Sequence, residues 1–315
     1  MKKYFPFACI VLVAACTPQE KTSDFADPET IAKDDAFRAG VKTGSFIKLM
    51  DGYTYYEFEK ANADTVIVLV HGFSVPSYIW DSTFVAAKKR GYSVLRYDTY
   101  GRGFSDNPDA NYDVALFSRQ LTSLLDSLQI TKPITLLGLS DGGRTLSAFA
   151  SQHPERIKNL VFVDAAGFNS MPTDVPAATD VTEDEVLAFK KERFPTMASG
   201  QMGDFYDSIP FKGWDKKYEE IMHFKGFAKA LISTGKNRAP LDKEHRTIAA
   251  SKVPVFAIWG EHDSVVKLDD IKANLLERIP NVKLFVIPAA GHLPQMEQTK
   301  LFNEILFDQI IRGGN

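Results

Sequence analysis

Apolar residues recur along the chain in two rhythms. Short, nearly continuous runs rich in β-branched and aliphatic residues occupy 65–70, 93–97, 134–137, 160–163, 254–259 and 282–287. Such runs are the pattern of strands buried on both faces. Between them apolar residues return at helical spacing: over 80–90, at Val114, Phe117, Leu121, Leu124, Leu125 and Leu128, over 144–153, at Ile271, Leu275 and Ile279, and in a closing stretch over 301–311. Two earlier strand-like runs, 44–50 and 53–59, are separated by Asp51-Gly52, which predicts a hairpin. The alternation predicts an α/β fold with a mostly parallel, doubly wound sheet covered by helices on both faces. The rhythm breaks between Gly167 and about Ser251, where helix-like pieces at 183–193, 215–223 and 227–233 occur without a clear strand. This predicts a helical cap over 169–250, inserted between core segments 41–168 and 251–315.

The N-terminus follows a different pattern. Lys2 and Lys3 precede an apolar stretch over 5–15, about half of the roughly 20 residues a membrane-spanning helix needs. A short apolar segment behind positive charges predicts a removable signal peptide over 1–15. The segment ends Val13-Ala14-Ala15-Cys16, which resembles the bacterial lipobox. That resemblance implies cleavage before Cys16, lipidation of Cys16 and attachment to a membrane of the bacterial cell envelope. Thr17 after the cysteine implies the outer membrane in a Gram-negative host. Residues 17–38 are polar, so 16–40 reads as a tether, with a short helix near 31–37. The only other cysteine, Cys9, lies inside the signal, so the mature chain is expected to have no internal disulfide and no cysteine-based metal site.

Composition narrows the function classes. The 315 residues are 44% hydrophobic and 24% charged with a net charge of −3, and no Lys/Arg block follows residue 3. A packed core is therefore expected, and the charge gives no electrostatic case for nucleic-acid binding. Gly101-Arg102-Gly103 lacks the third glycine of a dinucleotide fingerprint and reads as a turn. No cofactor and no metal are expected.

The chemistry centres on Gly138-Leu139-Ser140-Asp141-Gly142, which links an apolar run to a helix-like stretch. A G-x-S-x-G sequence in that context is a nucleophile elbow: the turn is too sharp for side chains beside the serine, and the helix start aims N–H groups at the reacting centre. A serine hydroxyl needs a base, and the base needs an orienting acid. His292 follows the last strand in Ala290-Gly291-His292, and Asp263 follows the preceding strand in Gly260-Glu261-His262-Asp263. Ser140, Asp263 and His292 then fall on one edge of the sheet, where open α/β sheets place their chemistry. Glu261 and Asp164 are rivals for the acid, and His262 for the base. Backbone N–H groups of Asp141 and Phe73 are the candidate oxyanion hole, with His71 expected to hold the 71–74 loop. The aromatics Phe205, Tyr206, Phe211, Trp214, Tyr218, Phe224 and Phe227 are candidates to line an apolar substrate cavity.

With HGF at 71–73, YDTYGRGFSD at 97–106, GLSDGG at 138–143, GEHD at 260–263 and GHLP at 291–294, the chain resembles the α/β-hydrolase fold family, in its lid-bearing esterase-like branch. A serine at 140, where epoxide hydrolases and haloalkane dehalogenases carry an aspartate, separates it from those branches. The resemblance implies a serine hydrolase acting on a small, apolar, ester-like substrate. Hydrolysis of a carbon–carbon bond beside a carbonyl is the second reading, and a ligand-binding protein that kept the fold is the third.

Overall fold

The computed structural model describes residues 26–61, 65–172 and 180–313. Eight strands form one sheet: β1 (Ser45–Lys48), β2 (Tyr53–Glu59), β3 (Val66–Val70), β4 (Ser93–Tyr97), β5 (Ile134–Leu139), β6 (Ile157–Val163), β7 (Val255–Gly260) and β8 (Lys283–Ile287). Their order is β1-β2-β4-β3-β5-β6-β7-β8. The expected hairpin forms, with Lys48 opposite Tyr53 across Asp51-Gly52. β2 is antiparallel to both neighbours, and β3 to β8 run parallel.

Eleven α-helices among the described residues accompany the sheet: α1 (Asp35–Gly40), α2 (Asp81–Lys89), α3 (Val114–Ser127), α4 (Gly142–Gln152), α5 (Glu183–Gly200), α6 (Trp214–Ile221), α7 (Phe227–Lys236), α8 (Asp242–Ala250), α9 (Leu268–Arg278), α10 (Pro294–Glu297) and α11 (Thr299–Asn303). The last continues as π-turns over Glu304–Ile311. The period of two along each strand divides the core. Ile67 and Leu69 of β3 face Trp80, Phe302 and Phe307 on one side, while Val68 and Val70 join Leu121, Leu124 and Phe149 on the other. The chain steps from β3 outward to β4 and then crosses back to β5, so the strand order reverses beside β3. In open α/β sheets the crevice at such a reversal is where ligands bind.

Within the expected cap stretch, α8 lies on the sheet beside α4 and α9. Ile248 and His245 are buried there, and His245 Nε2 lies 3.1 Å from Ser147 Oγ with its ring stacked on Phe168. Ile248 joins the core cluster that holds Phe149, Val255 and Leu275. α5 packs against α6 and α7, and their buried residues Phe194, Tyr218 and Phe227 join the core cluster of Leu139 and Val163.

Residues 26–40 do not run free, and this shortens the expected tether. Ile31 pairs with the segment before α7 through Ile31 N–H to His223 O and Lys225 N–H to Ile31 O, both 2.9 Å. The buried Glu29 carboxylate accepts the N–H groups of Gly226 (2.9 Å) and Ala228 (2.6 Å) at the start of α7 and pairs with Lys190 of α5 at 3.0 Å. An anion at a helix N-terminus satisfies free N–H groups and the dipole together. Phe37 packs edge-on against Phe104 and Phe224, and Arg38 pairs with Asp106 at 2.9 Å. This strap therefore binds cap to core. The signal segment and Cys16 lie outside the described residues.

Candidate active site

The elbow forms between β5 and α4. Ser140 has φ +51°, a left-handed conformation that a residue with a Cβ adopts only when the surroundings enforce it. The enforcement is steric and hydrogen-bonded. A Cβ at Gly138 would lie 2.8 Å from the backbone of Gly142, and one at Gly142 would lie 2.7 Å from His71 O. Ser140 N–H donates to Val163 O, and Ser140 O accepts from Gly143 and Ala166, each at 2.9 Å.

β7 and β8 deliver the other two groups. His292 Nδ1 lies 2.9 Å from Asp263 Oδ2, with the acid side chain fully buried. Asp263 Oδ1 accepts the N–H groups of Val265 (2.8 Å) and Val266 (3.0 Å), which fixes the carboxylate plane. Burial alone would raise the Asp263 carboxyl. The hydrogen bond and charge of His292, with the two backbone donors, outweigh burial and hold it below the usual carboxylate range. Ser140 and His292 line one cavity of about 180 Å³ with Phe73, Val75, Ile79, Val265 and Leu293. No hydrogen bond joins Ser140 Oγ to His292 among the described residues. Such contacts commonly tighten only around substrate.

The 71–74 loop lies against the serine: a Cβ at Gly72 would be 3.2 Å from Ser140 Cβ. Neither Phe73 N–H nor Asp141 N–H has an acceptor among the described residues, so both are free to meet a developing negative charge. His71 holds the loop through Nδ1 to Gly72 O and through Nε2, which accepts Thr99 N–H, both at 2.9 Å. Burial pushes its pKa down to about 3, so the ring stays neutral in that role. Arg102 fixes the next peptide by donating Nε–H to Phe73 O at 2.7 Å.

The chain matches the Alpha/beta hydrolase family over residues 67–305. It belongs to that family. A 2-hydroxy-6-oxononadienedioate/2-hydroxy-6-oxononatrienedioate hydrolase of Cupriavidus pinatubonensis is 28% identical over 282 residues, 84% of this chain and 94% of that protein. Lipase 1 of Psychrobacter immobilis is 27% identical over 244 residues, 73% of this chain and 72% of that protein. A meta-cleavage product hydrolase of Pseudomonas fluorescens shares the fold at a TM-score of 0.70 and 24% identity, over 87% of this chain and 99% of that one.

Around the site, the hydrolase places the rivals for acid and base differently. Glu261 is exposed and lies 3.6 Å from His262 Nε2, and His262 stacks on Tyr206 of the cap. Asp164, at φ +42° after β6, is fully buried; its Oδ1 accepts Gly260 N–H at 2.8 Å and its Oδ2 has no partner. Burial first, then the charge of Asp263, pushes this carboxyl well above its ordinary value, which favours its neutral form. Asp164, Asp263 and His292 are the one cluster of three potential metal ligands among the described residues. The donors of Asp263 and His292 are already committed to each other and to backbone N–H groups.

The cap aromatics pack on one another and on the core, Trp214 meeting Tyr78 edge-on. Phe205 stacks on Phe211 at 4.2 Å and meets Trp214 edge-on, while Tyr218 lines an outer hollow of about 440 Å³. Sequence reasoning missed three contacts that join cap to site. Asp204 O accepts His292 N–H at 2.7 Å, and the Asp204 side chain lines the catalytic cavity. Glu297 accepts N–H groups from Gly291 (2.6 Å) and from Tyr206 (2.8 Å), fastening the His292 loop to the cap. Arg238 of the segment after α7 pairs with Asp141 at 3.0 Å. None has a local sequence signature.

Proposed function

We propose that this hydrolase cleaves carboxylic esters through an acyl-enzyme on Ser140. The observation that carries the reading is the strained Ser140 sharing a cavity with an Asp263-bonded His292, beside two free N–H groups. His292 Nε2 takes the hydroxyl proton as Ser140 Oγ bonds to the carbonyl carbon. Phe73 and Asp141 N–H groups donate to the oxyanion. The proton passes to the departing alcohol as the C–O bond breaks. Water then attacks the acyl-enzyme with His292 again as base, releasing the acid and restoring Ser140. Carbon–carbon cleavage beside a carbonyl is the second reading, favoured by the relative named for a dioate substrate. Labelling by a fluorophosphonate together with turnover of short activated esters tests the first. Ser140→Ala should lose both, with kcat falling on the order of 10⁶-fold. A folded Ser140→Ala protein within tenfold of wild type refutes the assignment.

Export and lipid anchoring at Cys16 belong to the same proposal and rest on the 13–16 sequence. Among the described residues no helix is long and apolar enough to cross a membrane. Cys16→Ser should move the protein from the membrane fraction to the soluble one; an unmodified N-terminus by mass spectrometry refutes lipidation.

A further inference from the structure

We propose that Asp204 is the specificity-determining residue of this site, and that it selects esters carrying an ammonium group over esters carrying a carboxylate. The inference rests on the ester-hydrolase reading above and adds a substrate class to it. Twelve residues line the cavity around Ser140, and among them Asp204 is the one carboxylate, with no Lys or Arg. Its side chain has neither a hydrogen bond nor an ion pair among the described residues. A half-buried carboxylate without a protein partner, on the wall of a mostly apolar cavity, is free to meet a ligand donor or cation there.

The two arginines that reach the Phe73 loop and Asp141 are committed elsewhere. Arg102 is spent on Phe73 O and on Thr234 Oγ1 at 2.8 Å, and Arg238 on Asp141. The adjoining outer hollow, which shares Phe73, Ser74 and Gln201 with the cavity, offers one exposed Glu192 and one exposed Arg193, so its charges balance. Asp204 therefore sets the sign of the field a substrate meets. Burial pushes its pKa up to about 6, opposed by His292 and reinforced by Asp263, so it is ionised above neutral pH. Its position is fixed by its own backbone: the Asp204 carbonyl is held by His292 N–H, and a Cβ at Gly291 would lie 2.6 Å from that oxygen. The Asp204 backbone is thus tied to that of the catalytic histidine. A substrate carboxylate brought into this space meets like charge, and no Lys or Arg lines the cavity to offset it.

The test uses three matched esters above neutral pH: a choline ester, its uncharged isostere with a tert-butyl group in place of the trimethylammonium, and an ester of equal length ending in a carboxylate. The wild type should favour the choline ester over the carboxylate ester by about tenfold or more in kcat/KM. Asp204→Asn, which leaves the backbone contact to His292 intact, should collapse that ratio to within about twofold, and Asp204→Glu should retain its direction. Tetramethylammonium should inhibit wild-type turnover of the uncharged isostere competitively where acetate does not, a readout independent of any variant folding. A wild-type preference for the carboxylate ester, or an unchanged ratio in Asp204→Asn, overturns the proposal. Loss of fluorophosphonate labelling and of all ester turnover in the wild type overturns the ester-hydrolase reading instead, and this inference with it.

Discussion

Replacing Asp263 by Asn removes one charge and reverses one hydrogen bond at nearly constant volume. Oδ1 of Asp263 already accepts two backbone N–H groups, from Val265 and Val266, so the Asn oxygen is drawn to that position. Its amide then faces His292 Nδ1, where the carboxylate stood at 2.9 Å. An amide donor there makes Nδ1 the acceptor and leaves the imidazole proton on Nε2, the nitrogen that must take the Ser140 proton. The variant also loses the buried anion that would stabilise the imidazolium as it forms. For a triad of this construction the expected loss in kcat is on the order of 10⁴, or about 5 kcal/mol at 1.36 kcal/mol per tenfold. The assay is steady-state turnover of an activated acetate ester, with circular dichroism and a thermal melt confirming the fold. Asp164→Asn is the matched control. Its oxygen can keep Gly260 N–H, and burial already favours the neutral form of the group it replaces, so kcat should stay within about tenfold. An Asp263→Asn enzyme within tenfold of wild type, or an Asp164→Asn loss exceeding it, refutes the assignment of the acid.

Asp164 also carries a stability prediction. Its folded pKa is raised, so the folded state binds the proton more tightly than the unfolded chain, and the associated stability falls as pH rises above the unfolded value near ~4. Asp164→Asn removes that dependence: denaturant unfolding should show it gaining on wild type as pH rises above about 4, and a difference that does not grow with pH contradicts this. Glu29→Ala should cost about 2–4 kcal/mol, because it strands two N–H groups at the start of α7 and removes one of the partners of the buried Lys190. A change under about 0.5 kcal/mol in chemical denaturation would show that the strap is not integral to the fold.

Strand and helix positions were legible because burial on both faces, on one face and on one helical stripe each leaves its own period in the local sequence. β3, β5 and β7 stand within a residue or two of where continuous apolar runs predict them. The elbow was legible for a related reason: a turn that excludes Cβ atoms on either side of Ser140 constrains neighbours in sequence, Gly138 and Gly142. The order Ser140, Asp263, His292 followed once the strands were counted, since each group sits just past a strand end. Tertiary structure alone decided which acid meets His292, because Asp164 and Asp263 leave adjacent strands on the same edge and differ only in where their carboxyls point. It likewise decided that α8 packs against α4 and α9, that Phe205 stacks on Phe211 within the cap, and that residues 26–40 bind cap to core. It also placed Asp204 beside the catalytic histidine. Those contacts join residues far apart in the chain, through single carboxylates, carbonyls and rings. A lone Asp or Glu in a polar stretch has the same local pattern whether it faces solvent or a catalytic cavity, so only the folded arrangement distinguishes the two.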